Sequence, residues 1–166
     1  TVFKDYAAGG RLDGLDVAPK MIEAARARGI YDALILGDLE TVLMEEGPSY
    51  DLMLSADTMI YLGDLAPTFR GVAHRLEPSG FYVFACEAKE GEGWEQTPAN
   101  RFRHSERYLR EEAARAGLPF VAIKPGVLRY EDGAAVEGFA MAVKKMGSDT
   151  TPTSGEFECT ARGAGV

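Results

Sequence analysis

Acidic side chains follow two strand-like segments of this 166-residue sequence, at the positions where an open α/β sheet binds its ligand. Asp16 follows the short apolar segment that ends at Leu15, and Asp38 follows the apolar segment 33–37. A carboxylate at the first position can accept hydrogen bonds from both ribose hydroxyls of a nucleotide. A carboxylate at the second position can accept from an adenine amino group. An ordinary helix cap is the alternative role of both residues, because each precedes a helix-like segment.

Apolar residues next to these aspartates could cover an adenine ring. Leu39 follows Asp38 directly, and Met21 lies in the helix-like segment after Asp16. Met21 also shares an apolar periodicity with Ile22, which favours ordinary packing in the core. Both roles of Met21 stay open at this point.

Small and acidic residues follow a third strand-like segment, YDLMLS at 50–55. Ser55 and Ala56 would let a ligand approach the backbone, and Asp57 could meet an ammonium group or take a substrate proton. A simple turn from strand to loop is the alternative. With Tyr61 and Asp64, Asp57 forms an acidic and aromatic lip that disfavours a strongly anionic substrate.

A histidine and the single tryptophan lie in or beside a long polar stretch, 87–103. His104 is the type of side chain best matched to proton transfer near neutral pH, and a surface position beside a helix cap at Ser105 is the alternative. Trp94 lies within the stretch, and loops of this length usually serve a site or are disordered. Neither His104 nor the other histidine, His74, has a second His or Cys at ligand spacing, so we expect no metal site.

The elements that must position these residues alternate between strands and helices. The strand-like segments are 11–15, 33–37, 50–55 and 81–86, and helices are predicted after Pro19, after Asp38 and over 65–76. A helix over 106–116 precedes two final strands, 120–130 and 136–145, which an Asp-Gly pair joins as a hairpin. The apolar run YDLMLS predicts a strand that is buried on both faces. The order predicts an α/β fold with a mostly parallel sheet, helices on both faces and a C-terminal antiparallel hairpin.

Composition bounds the partners and the domain organisation. A net charge of −8 and a pI near 4.8 argue against unaided binding to nucleic acid and disfavour an anionic membrane surface. No apolar run is long enough to span a bilayer. Two distant cysteines, Cys86 and Cys159, indicate a reducing compartment, so we expect a cytoplasmic protein. We expect one domain over 1–146 and a disordered tail over 147–166.

The sequence resembles the class I methyltransferases that use S-adenosylmethionine. The run GLDVAPKMIEAARARGIYDALILGDLE (14–40) is similar to their segment after the first helix, and YDLMLSADTMIYLGDL (50–65) is similar to their fourth strand and its loop. The run LEPSGFYVFACEA (76–88) resembles their Leu-x-Pro-Gly-Gly turn and fifth strand, with Ser79 in place of one glycine. The segment 90–118 is similar to the methyltransferase domain of predicted tetratricopeptide-repeat methyltransferases.

The resemblance implies a Rossmann-like, seven-stranded sheet that binds S-adenosylmethionine at its strand ends. The implied cofactor-binding residues are Asp16, Val17, Met21, Asp38, Leu39, Ser55 and Ala56. The implied reaction is an in-line displacement at the sulfonium methyl group, with a small molecule as acceptor in a dehydrated pocket. Asp57 and His104 are the candidate bases for a protonated acceptor, and Tyr61 and Trp94 are candidate walls of its pocket.

The sequence departs from the family at its beginning. The family's acidic residue and Gly-x-Gly loop after a central first strand would precede Thr1. We therefore expect a fold in which the first central strand is missing and the cofactor is held less tightly. An N-terminal segment outside this sequence, a truncated gene or a partner chain would each account for the departure, and Thr1, which is not a start methionine, favours the first two.

Three functions compete at this point. The first is a small-molecule methyltransferase. The second is a degenerate, non-catalytic module of the same fold that binds a ligand or forms a homodimer through its exposed sheet edge. The third is an NAD-binding dehydrogenase domain, which shares the acidic residue Asp16 but fits the closing hairpin less well.

Overall fold

The computed structural model of the protein describes Ala7 and residues 9–147. In chain order, the helices and strands are β1 (Asp13–Asp16), α1 (Pro19–Ala27), β2 (Ala33–Leu36), α2 (Leu39–Met44), β3 (Tyr50–Ser55), a 3₁₀ turn (Met59–Tyr61), α3 (Ala66–Arg75), β4 (Leu76–Ala88), β5 (Trp94–Gln96), β6 (Phe102–His104), α4 (Glu106–Arg115), β7 (Phe120–Glu131) and β8 (Ala134–Lys144).

The helices begin where the sequence supplies a starting residue. Pro19 is the first residue of α1, where its missing N–H costs nothing. The Asp38 carboxylate accepts a hydrogen bond from the Thr41 N–H at the start of α2, and the Ser105 hydroxyl accepts one from the Tyr108 N–H at the start of α4. The predicted helix caps at Asp38 and Ser105 are therefore confirmed.

The strands form two separate sheets. In one, β1 pairs with β2 in parallel. In the other, β4 is the central strand: it pairs in parallel with β3 and, beyond the end of β3, with β6, and on its opposite edge it pairs antiparallel with β8. The hairpin of β7 and β8 is the last of the described elements, and its turn residues Asp132 and Gly133 have φ angles of 49° and 80°. The predicted α/β fold and the Asp-Gly hairpin are confirmed.

The core lies between one face of the larger sheet and the helices α3 and α4. Tyr82 and Phe84 of β4 stack with ring centroids 5.0 Å apart, and Phe69 of α3 meets Phe84 edge to face at 5.6 Å. Helix α2 packs on α3, where the side chain of Leu43 occupies the space that a Cβ on Gly71 would need. This close approach explains why a glycine occupies a helix interior.

Two expectations about the sheet are wrong. Strand β3 is not buried on both faces, since Leu52 and Leu54 are 46% and 43% exposed. Their face of the sheet continues to Phe81, which is also exposed, while α3 and α4 cover the opposite face. The stretch 87–103 is not irregular throughout, because β5 and β6 pair within it as a short antiparallel ladder.

The expected disordered tail lies outside the described residues, apart from Gly147, so the domain boundary stays a prediction. Within residues 9–147, the helices are too short and too polar to cross a membrane.

Candidate functional site

The carboxyl ends of β1, β2, β3 and β4 lie at a common edge of the molecule. The phenol of Tyr50, the first residue of β3, donates a hydrogen bond of 2.8 Å to the carboxylate of Asp13, the first residue of β1. Burial, followed by the nearby Asp13, raises the pKa of Tyr50, so the phenol stays a donor. This bond joins the amino ends of two strands, so the residues that follow Asp16 and Ser55 lie at the opposite, carboxyl ends of those strands.

Asp16 is the last residue of β1 and is half-buried. Its Oδ1 accepts a hydrogen bond of 2.8 Å from the Ala18 N–H, which turns the chain into α1. Among the described residues, Oδ2 has no recorded hydrogen-bond partner. The carboxylate therefore orders the turn through one oxygen and can accept from a ligand through the other.

Asp38, which follows β2, likewise orders a helix start through one carboxylate oxygen. Its Oδ1 accepts from the Thr41 N–H at 2.9 Å and from the Thr41 hydroxyl at 3.0 Å. The hydrogen bond from the Thr41 backbone holds the pKa of Asp38 below its usual value, so the group stays ionised. Leu39 packs against the edge of the core.

Exposed apolar side chains lie around these two aspartates. Met21 is 56% exposed, so the core-packing alternative for Met21 is wrong, and its neighbour Ile22 occupies the core position instead. Val17 and Leu36 are exposed at the ends of β1 and β2. Large apolar groups that stay exposed beside polar acceptors are typical of a binding surface for a flat ring.

Ser55 and Ala56 lie at the end of β3. The Ser55 hydroxyl is 2.9 Å from the hydroxyl of buried Tyr82, so part of its hydrogen-bonding capacity is used inside the protein. Burial raises the pKa of Tyr82, which keeps that phenol neutral. Ala56 is exposed and leaves the adjacent backbone accessible.

Asp57 faces an ion cluster that the sequence analysis did not predict. Its side chain is 78% exposed, and its Oδ1 is 3.9 Å from Nη1 of Arg129 on β7. Arg129 also pairs with Glu87 and Glu131. Arg103 pairs with Glu87 at 3.2 Å.

Glu87 and Arg129 were missed because the pair joins residues 42 positions apart in the chain. One sequence signal was available for Glu87, which directly follows the apolar segment 81–86, and in the structure its side chain is only 3% exposed. A buried carboxylate at the carboxyl end of a central strand is rare unless it is paired. Its two arginine partners satisfy both of its oxygens.

His104 is fully buried at the end of β6, so the alternative of a surface position is wrong. Its Nε2 lies 2.9 Å from the Gly63 carbonyl oxygen, which can only accept, so Nε2 carries the proton. Desolvation lowers the pKa of His104 and keeps the ring neutral. Its Nδ1 is buried without a hydrogen-bond partner among the described residues. A role of His104 as the base stays a prediction.

One of the two candidate wall residues, Trp94, packs against Gly63, and the other, Tyr61, precedes Gly63 in the chain by two residues. Tyr61 is exposed in the 3₁₀ turn after β3, and Trp94 is partly exposed in β5. The Trp94 ring packs edge to face on Phe102, with centroids 5.4 Å apart. The Trp94 and Phe102 rings both lie against Gly63, where an added Cβ would collide with them. The β5–β6 hairpin thus covers the loop that carries Tyr61.

The edges of β1 and β3 that face away from their partners carry no strand within the described part of the chain. A pocket of about 140 Å³ between β1 and α1 is lined by Asp16 and Met21, among others. This volume is below the ~300 Å³ at which small-molecule pockets usually begin. This pocket alone is therefore too small to enclose a nucleotide.

A profile of the methyltransferase domain family matches residues 2–84, half of the chain. The malonyl-[acyl-carrier protein] O-methyltransferase of Serratia marcescens is 28% identical over 98 residues, which are 56% of this chain and 38% of that protein. The chain therefore aligns with well under half the length of this curated relative.

Solved structures of S-adenosylmethionine-dependent methyltransferases share the fold. A structure from Methanosarcina mazei has a TM-score of 0.67 at 13% identity. The match covers 88% of this chain and 87% of the Methanosarcina chain. The 1,6-didemethyltoxoflavin-N1-methyltransferase of Burkholderia thailandensis was solved with S-adenosylhomocysteine and has a TM-score of 0.63 at 16% identity. The match covers 83% of this chain and 62% of the Burkholderia chain. These likenesses show the fold, and the profile match shows that the chain belongs to the methyltransferase domain family.

Proposed function

We propose that this chain takes part in methyl transfer from S-adenosylmethionine to a small-molecule acceptor. The observation that carries the proposal is the pair Asp16 and Asp38, which follow neighbouring parallel strands and each use one carboxylate oxygen to order a helix start. The other oxygen of each is available to a nucleoside. S-adenosylmethionine supplies the electrophilic methyl group.

The residues at this edge fit the nucleoside part of that cofactor. Asp16 would accept from the ribose hydroxyls, and Asp38 would accept from the adenine amino group. The exposed side chains of Val17 and Met21, with Leu39, would exclude water from the faces of the ring. Ser55 and Ala56 would border the methionine part, since they end the next parallel strand.

The acceptor would lie beyond β3 and β4. Asp57 is exposed there and could bind an ammonium group or hold a proton from the acceptor. His104 would act as a positioning residue, because its Nε2 holds the Gly63 carbonyl while its ring is shielded from any acceptor. Tyr61 and Trp94 would form the apolar walls. The Burkholderia protein, named for 1,6-didemethyltoxoflavin, supports a small-molecule acceptor, whereas the Serratia protein is named for a malonyl group on an acyl-carrier protein.

The test is calorimetric titration of the chain with S-adenosylhomocysteine. We expect binding that Asp16→Asn weakens about tenfold, which corresponds to the loss of one charge-assisted hydrogen bond. The matched control is Glu23→Gln, which removes an exposed carboxylate from the neighbouring helix α1. Equal affinities of both variants would contradict the assignment of Asp16, and no binding to any form would contradict the cofactor.

A second function, a non-catalytic module that forms a homodimer, is favoured by the open edges of β1 and β3 and by exposed Leu52 and Leu54. Open strand edges pair readily with other strands. Light scattering after size-exclusion chromatography separates the two functions. A dimer that Leu54→Lys dissociates, together with no affinity for S-adenosylhomocysteine, would favour the module over the enzyme.

A further inference from the structure

Arg129 is hydrogen-bonded through two of its three side-chain nitrogens, and the third lacks an acceptor among the described residues. Its Nε donates to Glu131 at 2.8 Å, and its Nη2 donates to buried Glu87. Its Nη1 is enclosed and has no hydrogen-bond acceptor among the described residues, and the acidic atom near it is Oδ1 of Asp57 at 3.9 Å. That separation is too long for a hydrogen bond. A guanidinium therefore stands at the acceptor side of the site with a vacant donor group.

The surrounding carboxylates hold Arg129 in place but do not neutralise the total positive charge of the cluster. Glu131 is shared with Arg101, and Glu87 is shared with Arg103. Three arginines thus share two glutamates, which leaves one positive charge for Asp57 to balance. The hydrogen bonds to Glu131 and Glu87 raise the pKa of Arg129, so the group is charged at any working pH.

Asp57 covers this donor weakly. Its side chain is mostly exposed, and the 3.9 Å contact to Arg129 is the ion pair recorded for it. Exposed pairs of this kind contribute little free energy, so the side chain can turn away at small cost. When it turns, a ligand carboxylate that approaches from the loop after β3 can take its place beside Nη1.

We propose that Arg129 binds a carboxylate of the methyl acceptor, which displaces Asp57 from Nη1. This inference rests on the proposed function and names the class of acceptor: a small molecule with a carboxylate. A carboxylate, that of Asp57, already lies near this nitrogen, so the ligand replaces a group of the same charge. Arginine is well suited to this role, because its planar donors match carboxylate geometry.

Calorimetric titration with malonate, and with neutral malonamide as control, tests the proposal. Asp57→Asn removes the competing carboxylate and is expected to raise malonate affinity about threefold, as for the loss of one weak, exposed ion pair that the ligand would otherwise displace. The matched control Asp51→Asn makes the same charge change at an exposed position near the other end of β3 and should leave the affinity unchanged. Malonamide should not bind to any form.

The converse variant removes the arginine. Glu87→Gln is combined with Arg129→Gln so that no buried carboxylate loses a partner, and circular dichroism reports whether the pair folds. Malonate binding should be lost in this double variant. If the double variant does not fold, the gain in Asp57→Asn decides alone.

Four outcomes would overturn the proposal: no gain in Asp57→Asn, an equal gain in Asp51→Asn, retained binding in a folded double variant, or tighter binding of inorganic phosphate than of malonate. Titration of the same samples with S-adenosylhomocysteine separates the two proposals. Its failure alone would refute the cofactor site at Asp16 and Asp38, while a failure with malonate alone would refute the role of Arg129.

Discussion

Replacing Arg75 by methionine is expected to destabilise the protein strongly, although Arg75 lies outside the candidate site. Arg75 is buried at the end of α3, where its Nε donates to the Pro48 carbonyl oxygen at 2.8 Å. Its Nη1 donates to the carbonyl oxygens of Val42 and Glu45 at 3.2 and 3.1 Å. These two carbonyls belong to the end of α2, where helix carbonyls lack intrahelical partners. One side chain thus satisfies the end of α2 and fixes the turn into β3.

The expected loss in the free energy of unfolding is about 3–5 kcal/mol. A hydrogen bond with a charged donor contributes about 1.5–3 kcal/mol net, and three bonds from one guanidinium do not add fully. Methionine keeps most of the apolar stem, so only the polar part is lost. With a urea slope of about 2 kcal/mol per molar, the unfolding midpoint should fall by about 2 M.

Urea unfolding followed by circular dichroism measures this change. The control is Arg70→Met, which removes an exposed arginine from the same helix and should change the free energy of unfolding by less than about 0.5 kcal/mol. If the midpoint of Arg75→Met falls no further than that of Arg70→Met, the three carbonyl contacts do not stabilise the turn and the reasoning is refuted.

Three further variants test other parts of the fold and site. The pKa of His104 is lower in the folded protein than its ordinary 6.5, so the unfolded chain binds the extra proton. The free energy of unfolding should therefore fall as pH drops below about 6.5, and His104→Gln should flatten that dependence in urea titrations at several pH values. Asp38→Ser keeps a helix cap but removes the carboxylate, so calorimetry should find about tenfold weaker binding of S-adenosylhomocysteine with an unchanged unfolding midpoint. Gly138→Ala should destabilise the protein by about 3 kcal/mol, because the added Cβ overlaps the Cys86 carbonyl oxygen and the Leu128 side chain. The control Gly126→Ala has open space around the added Cβ and should change the stability little. Similar unfolding midpoints for the two alanine variants would contradict the assigned overlap.

Local signals in the sequence predicted the elements whose structure is set locally. The bounds of β3 follow from an apolar run between polar residues, and the cap of α2 follows from Asp38 before a helical segment. The hairpin turn at Asp132 follows from the tolerance of Asp-Gly for positive φ. In each case, the residues that decide the conformation are neighbours in the chain.

The features that escaped prediction depend on residues far apart in the sequence. Strands β5 and β6 are short and polar, and pairing with each other and with β4 defines them more than their own composition does. The apolar pattern of β3 predicted burial, but Leu52 stays exposed because only one face of the sheet is covered by described helices. The Glu87–Arg129 pair has no local signature at Arg129, so its place at the candidate site emerges only from the fold.

The division into two sheets has a consequence for how tightly a nucleotide can be held. Strands β1 and β2 share no backbone ladder with the larger sheet within the described residues, and their ties to it include the Tyr50–Asp13 hydrogen bond and the packing of α2 on α3. A unit attached in this way opens on its own in native-state hydrogen exchange, at a lower free energy than global unfolding. The apparent dissociation constant equals the intrinsic one divided by the closed fraction, so a halved closed population doubles it. The stability of this small unit therefore enters the cofactor affinity directly, before any residue touches the nucleotide.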